Sequence, residues 1–89
     1  MTIQYDPTIF DKLKAVDVRI RKSFHEKMDL FRRDPYNSHL NNHALRDEYA
    51  GCRSINITND YRAIYEELLA GDEPIAYFFL LGTHKELYG

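Results

Sequence analysis

Residue types suited to moving protons beside an anionic group are gathered in the second half of this sequence. They are His43, Ser54, Asn56, Asp60, His84 and Tyr88, with Arg46, Arg53, Arg62 and Lys85 near them in sequence or by strand pairing. Histidine titrates close to neutrality and so can both take and give a proton. Arginine never deprotonates, and its fork matches phosphate oxygens. Each residue also has an ordinary explanation. His84 can cap a chain end or bond a carbonyl, and Asp60 in Asn59-Asp60 is a turn former. His43 can be a plain loop residue. Arg53 and Arg62 can pair across a sheet with Glu66, Glu67 or Asp60, where a surface ion pair is worth only ~0–1 kcal/mol. Tyr88 can pack a C-terminal turn.

His39 and His43 stand four apart, a spacing that binds zinc when it lies on a helix. Here it falls in a segment rich in Asn and Ser, Tyr36 to Leu45, which reads as a loop, and no further ligand pair accompanies it. No metal site is expected. Cys52 is the sole cysteine, so neither an internal disulfide nor a multi-cysteine metal cage can form.

The elements that must position these residues follow from local pattern. Ile3 and Tyr5 share one side of a short extended segment that ends at Asp6-Pro7, an N-cap followed by proline at the first helical position. Ile9, Phe10 and Leu13 form one apolar stripe, and Val16, Ile20, Phe24, Met28 and Phe31 form a second, with Asp17 as a fresh cap between them. This predicts a helical hairpin, or one bent helix, ending at Asp34-Pro35. Cys52 to Thr58 alternates, with Ile55 and Ile57 facing one way and Cys52, Ser54 and Asn56 the other. Tyr61 to Leu68 reads as a second strand of a hairpin, and Ala70 to Pro74 as the next reversal. Ile75 to Leu81 is apolar on both faces, as suits a strand with neighbours on each side, and Tyr77, Phe78 and Phe79 are expected in the sheet core. Gly82-Thr83 breaks it, and Thr83 can cap a last helical turn.

The order β-α-α-β-β-β, with a short closing α, predicts an α+β fold in which the helical hairpin covers one face of a twisted antiparallel sheet and leaves the other open. The length of 89 residues, 44% of them apolar, allows one domain, 1–89. No apolar run approaches the ~20 residues of a membrane span. The N-terminus also lacks the basic and apolar regions of a secretory signal, so a cytoplasmic protein is expected. The net charge is −2, divided as +2 over residues 1–45 and −4 over 46–89. Any nucleic-acid contact must therefore come from local Lys and Arg. The basic run Arg19, Arg21, Lys22 and Lys27 reads most simply as a solvated helix face.

The segments His43-Ala44-Leu45, Gly51 to Ile55, Asp60 to Tyr65 and Gly82 to Tyr88, the last reading Gly-Thr-His-Lys-Glu-Leu-Tyr, resemble the YafQ branch of the RelE/ParE toxins. The likeness is close over the last half of the chain and extends to the first half through element order. It implies the toxin of a type II toxin–antitoxin pair: a metal-independent, ribosome-dependent endoribonuclease that cuts mRNA, needs no cofactor, and acts as a monomer silenced by a cognate antitoxin. By that resemblance His84 is the general acid, and Asp60 and His43 are candidates for the base or its orienter. Arg53 and Arg62 would stabilise the phosphate and Tyr88 would stack on a base. Ser54 and Asn56, also placed at the substrate, stand where that branch usually carries an acidic residue and a histidine; they can hydrogen-bond but cannot shuttle protons near neutrality. Two alternatives stay open: a ParE-like toxin that binds DNA gyrase without catalysis, and a degenerate member that only holds an antitoxin. An open sheet face with a polar rim would suit an antitoxin segment that folds on binding.

Overall fold

The computed structural model describes residues 1–89. Strand β1 (Thr2–Tyr5) leads into helix α1 (Pro7–Ala15), whose N-cap Asp6 accepts a hydrogen bond from the Thr8 amide at 2.9 Å. Val16 is extended and ends α1. Asp17 then caps α2 (Val18–Arg33) by accepting from the Arg19 amide at 2.8 Å. The helical region is therefore a hairpin, broken where a new capping aspartate outcompetes continuation.

After a 3₁₀ turn at Ser38–Leu40 come a two-residue strand β2 (His43–Ala44), a second 3₁₀ turn at Asp47–Tyr49, and strands β3 (Cys52–Asn56), β4 (Tyr61–Ala70) and β5 (Glu73–Thr83). A five-residue helix, α3 (His84–Tyr88), closes the chain. The sheet order is β1-β5-β4-β3-β2. β1 pairs with β5 in parallel, while every other pairing is antiparallel, so the expected antiparallel sheet is in fact mixed. The cause is connectivity: the helical hairpin carries the chain across the sheet between β1 and the later strands, and such a crossover permits parallel pairing. As expected, β5 has a neighbour on each side.

The main core lies between the helices and one sheet face. Ile9, Leu13, Phe24, Met28 and Phe31 from the helices meet Ile55, Ile57, Ala63, Tyr65, Ala76, Phe78 and Leu81 from the strands. Phe31, Tyr65 and Phe78 pack ring against ring at centroid distances of 5.1, 5.3 and 4.9 Å. Of the aromatic run in β5 only Phe78 enters this core; alternation puts Tyr77 and Phe79 on the other face, where they stack at 6.4 Å.

The face opposite the helices is only partly open. Ser54 and Ile64 point there and are fully buried, because α3 folds back onto the sheet and lays Leu87 over it. Gly82 permits this approach, since a Cβ there would sit 3.2 Å from Glu86 Oε1 and 3.3 Å from Leu87 Cδ2. Thr83 and Glu86 form a reciprocal capping box, and Lys12 of α1 reaches Glu86 Oε2 at 2.8 Å.

Candidate functional site

At the end of the sheet where β2 meets α3 is a cleft of about 420 Å³ lined by Asn41, His43, Ala44, Leu45, Arg46, Asp47, Arg62, His84 and Tyr88. Each residue has a local reason to be there. Asn41 adopts the left-handed conformation (φ 46°) that ends the first 3₁₀ turn and aims the chain into β2. His43 lies opposite Ser54 in the β2–β3 ladder. Its Nδ1 is 2.8 Å from the carbonyl oxygen of Asn41. A carbonyl can only accept, so Nδ1 donates, and in the neutral ring Nε2 is left with its lone pair.

Arg62 opposes Asn56 on β3 and Gly82 on β5. Its Nη1 donates to the carbonyls of Thr58 (2.9 Å) and Tyr61 (3.1 Å), which anchors one arm of the guanidinium at the cleft wall. His84 opens α3, and its backbone amide donates to the carbonyl of Asp60 at 3.0 Å. The His84 ring lies 4.8 Å from that of Tyr88, one helical turn on. Tyr88 in turn meets Tyr49 edge to face at 5.9 Å, and the Tyr49 hydroxyl donates to the Leu87 carbonyl at 3.1 Å. Burial raises the Tyr49 pKa, which keeps that donor protonated. The 45–50 segment and α3 thus hold each other, and together they hold His84.

Five of the residues singled out in the sequence therefore converge: His43, Arg46, Arg62, His84 and Tyr88. Ser54 and Asn56 lie beneath them instead of facing a ligand. Ser54 is fully buried, and Ser54 Oγ, Asn56 Oδ1 and the Tyr88 hydroxyl are buried without a hydrogen-bond partner. The covering helix α3 turns the expected polar working face into a floor. Asp60 is exposed at its turn and meets the site through its backbone only. Arg53 does not join the cleft. Strand alternation puts it on the side of Ile55, where its Nε donates to Asn42 Oδ1 at 2.7 Å and its guanidinium sits over Tyr36.

Asn41, Asn42, Tyr36 and Tyr49 were not marked as site residues by the sequence. The density of Asn between 37 and 42 was the available signal, because Asn tolerates left-handed backbone and satisfies loop carbonyls. His39 lies apart from His43, beside Lys27 and Arg33. No three His, Cys, Asp or Glu side chains cluster. Burial raises the Cys52 pKa, which leaves its thiol protonated and a poor nucleophile.

No protein-family model matches the chain, and comparison with curated proteins gives no match. Solved structures do match. The YoeB/ParE toxin from Agrobacterium tumefaciens superposes with a TM-score of 0.73 at 20% identity, covering 94% of this chain and 99% of that one. YafQ from E. coli gives 0.69 at 20% identity, covering 98% and 97%. The E. coli DinJ-YafQ toxin-antitoxin complex gives 0.62 at 21% identity, covering 98% and 96%. At such identities the likeness is one of architecture, and it runs over essentially the full length of each chain. The mixed five-stranded sheet, the helical hairpin on one face and the short α3 folded back on the other give this chain the RelE/ParE-type fold in its YafQ-like form.

Proposed function

We propose that this protein is the toxin of a toxin–antitoxin pair, and that it cuts mRNA on the ribosome by metal-independent acid–base chemistry. The observation that carries the proposal is the convergence of two imidazoles and a guanidinium, from β2, α3 and β4, on one cleft. RNA supplies its own nucleophile, so the protein has only to move two protons and balance charge at phosphorus. His43 Nε2, freed by the bond from Nδ1 to Asn41, takes the 2′-hydroxyl proton as the oxygen attacks phosphorus. Arg62 faces the negative charge that grows on the phosphoryl oxygens. His84, protonated, gives its proton to the departing 5′-oxygen. The products are a 2′,3′-cyclic phosphate and a 5′-hydroxyl.

Tyr88 borders the cleft, where it can meet a base, and its ring steadies His84. Ser54 and Asn56 form the floor. Asp60, exposed and attached through its backbone, suits a positioning role for His84 better than that of the base. The DinJ-YafQ complex supports the further proposal that a cognate antitoxin is the partner here.

The test is cleavage of mRNA on translating ribosomes, with transcript ends mapped. His84→Ala and His43→Ala are each expected to lower cleavage by about 10²–10⁴-fold, the usual worth of a positioned acid or base, while Asp60→Ala lowers it by less than about tenfold. Full cleavage by His84→Ala refutes the assignment. New ends absent even with the wild-type chain refute the nuclease in favour of gyrase binding or antitoxin holding.

A further inference from the structure

Across β2 from the cleft lies a second hollow, of about 410 Å³, bordered by Tyr36, Ala44, Gly51, Cys52, Arg53 and Glu67. Ala44 borders both hollows. β2 is the last strand of the sheet, so its outer edge has no neighbouring strand, and its two residues face opposite sides. A strand of polynucleotide seated beside His43 can pass over that edge into the second hollow.

What it would meet there is a built surface. Tyr36 is 59% exposed, which is unusual for so large an aromatic residue, and its ring carries the Arg53 guanidinium 5.3 Å from its centroid. Arg53 is fixed from below. Its Nε donates to Asn42 Oδ1 at 2.7 Å, and Asn42 Nδ2 is 2.8 Å from both the Pro35 carbonyl and the hydroxyl of Tyr65, whose side chain is fully buried. The chain of bonds therefore ends in the main core. Within the molecule the guanidinium hydrogen-bonds through Nε alone, which leaves both terminal nitrogens without a partner. Glu67 closes the far side, 3.5 Å from the Tyr36 hydroxyl.

A carboxylate in the wall disfavours a phosphate. The Tyr36 face turned away from Arg53, with the unpartnered terminal N–H groups of the guanidinium and a carboxylate beside the ring, instead matches a nucleobase, which offers a π surface, ring and carbonyl acceptors, and an exocyclic amine. We propose that Tyr36 and Arg53 form a nucleobase subsite for a nucleotide flanking the scissile linkage, an inference that rests on the nuclease function proposed above.

The probe is a fluorescein-labelled RNA hexamer of mixed sequence with every 2′-oxygen methylated, so that it cannot be cut. Binding is read by anisotropy, with cleavage on translating ribosomes followed in parallel. Tyr36→Ala is expected to weaken binding by about 5- to 150-fold, the range for loss of one stacked base, whereas Tyr36→Phe stays within about twofold. Tyr36 is exposed, so neither change threatens folding. Wild-type affinity in Tyr36→Ala, or failure of the wild-type chain to bind the hexamer, overturns the subsite. Tyr36-dependent binding without cleavage by the wild-type chain overturns the nuclease and leaves the subsite standing. Cleavage with Tyr36-independent binding does the reverse.

Discussion

Leu87→Ala tests whether α3 is the device that assembles the cleft. Leu87 is 8% exposed and is the buried residue of a five-residue helix that also carries His84 and Tyr88. Truncating a buried leucine costs about 2–5 kcal/mol, according to how far the surroundings collapse. Gly82 lies directly beneath, and α3 is at the chain end, so the site can close partly and the lower part of that range applies. The loss is limited further because α3 keeps its capping box, the Tyr49 bond to the Leu87 carbonyl and the Lys12 contact. About 2 kcal/mol is therefore expected, which in a domain of this size lowers Tm by roughly 8–16 °C.

The fold should persist while α3 loosens, because the main core between helices and sheet does not include Leu87. Two measurements together check this: thermal unfolding by circular dichroism, and hydrogen exchange of the His84 amide, which is bonded to the Asp60 carbonyl. Exchange at His84 should accelerate well beyond that of core strand amides such as those of Ala63 and Phe78, and mRNA cleavage should fall with it. Unchanged exchange at His84 and a Tm within about 2 °C of wild type would refute the claim that Leu87 holds α3 in place.

Two further outcomes follow from polar groups. The hydrogen bond from Lys12, reinforced by the Thr83 amide, pulls the Glu86 carboxyl down from 4.5 to about 2. A carboxyl whose folded pKa is depressed adds stability above its unfolded pKa and loses it as pH falls through the folded one. The stability gap between wild type and Glu86→Gln, followed by denaturant titration across pH, should therefore be widest at neutrality, narrow below about 4.5 and vanish below about 2. Ser54→Ala removes a fully buried hydroxyl that has no partner, so it should leave stability unchanged or raise it by up to about 1 kcal/mol; a loss above about 1 kcal/mol in urea unfolding would show that Ser54 Oγ has a partner in solution.

Local chemistry made much of this molecule legible before its shape was known. Asp6-Pro7 and Asp17 start helices wherever they are placed, because a carboxylate oxygen satisfies an amide two residues ahead. The Thr83–Glu86 capping box is equally local. The alternation from Cys52 onward sorted β3 into two faces, and by the same period Arg53 belonged with Ile55, away from the cleft that the family resemblance suggested for it.

Tertiary structure alone decided what is non-local. The parallel docking of β1 on β5 joins segments more than seventy residues apart, and no local pattern encodes the direction of such a pairing. Nor does any local pattern reveal that α3 folds back over Gly82, which turns Ser54 and Asn56 from a working face into a floor and sets His84 beside Arg62 and His43. Residue type determines which protons and charges this chain can offer. Where they meet depends on surfaces that exist only once distant strands have paired.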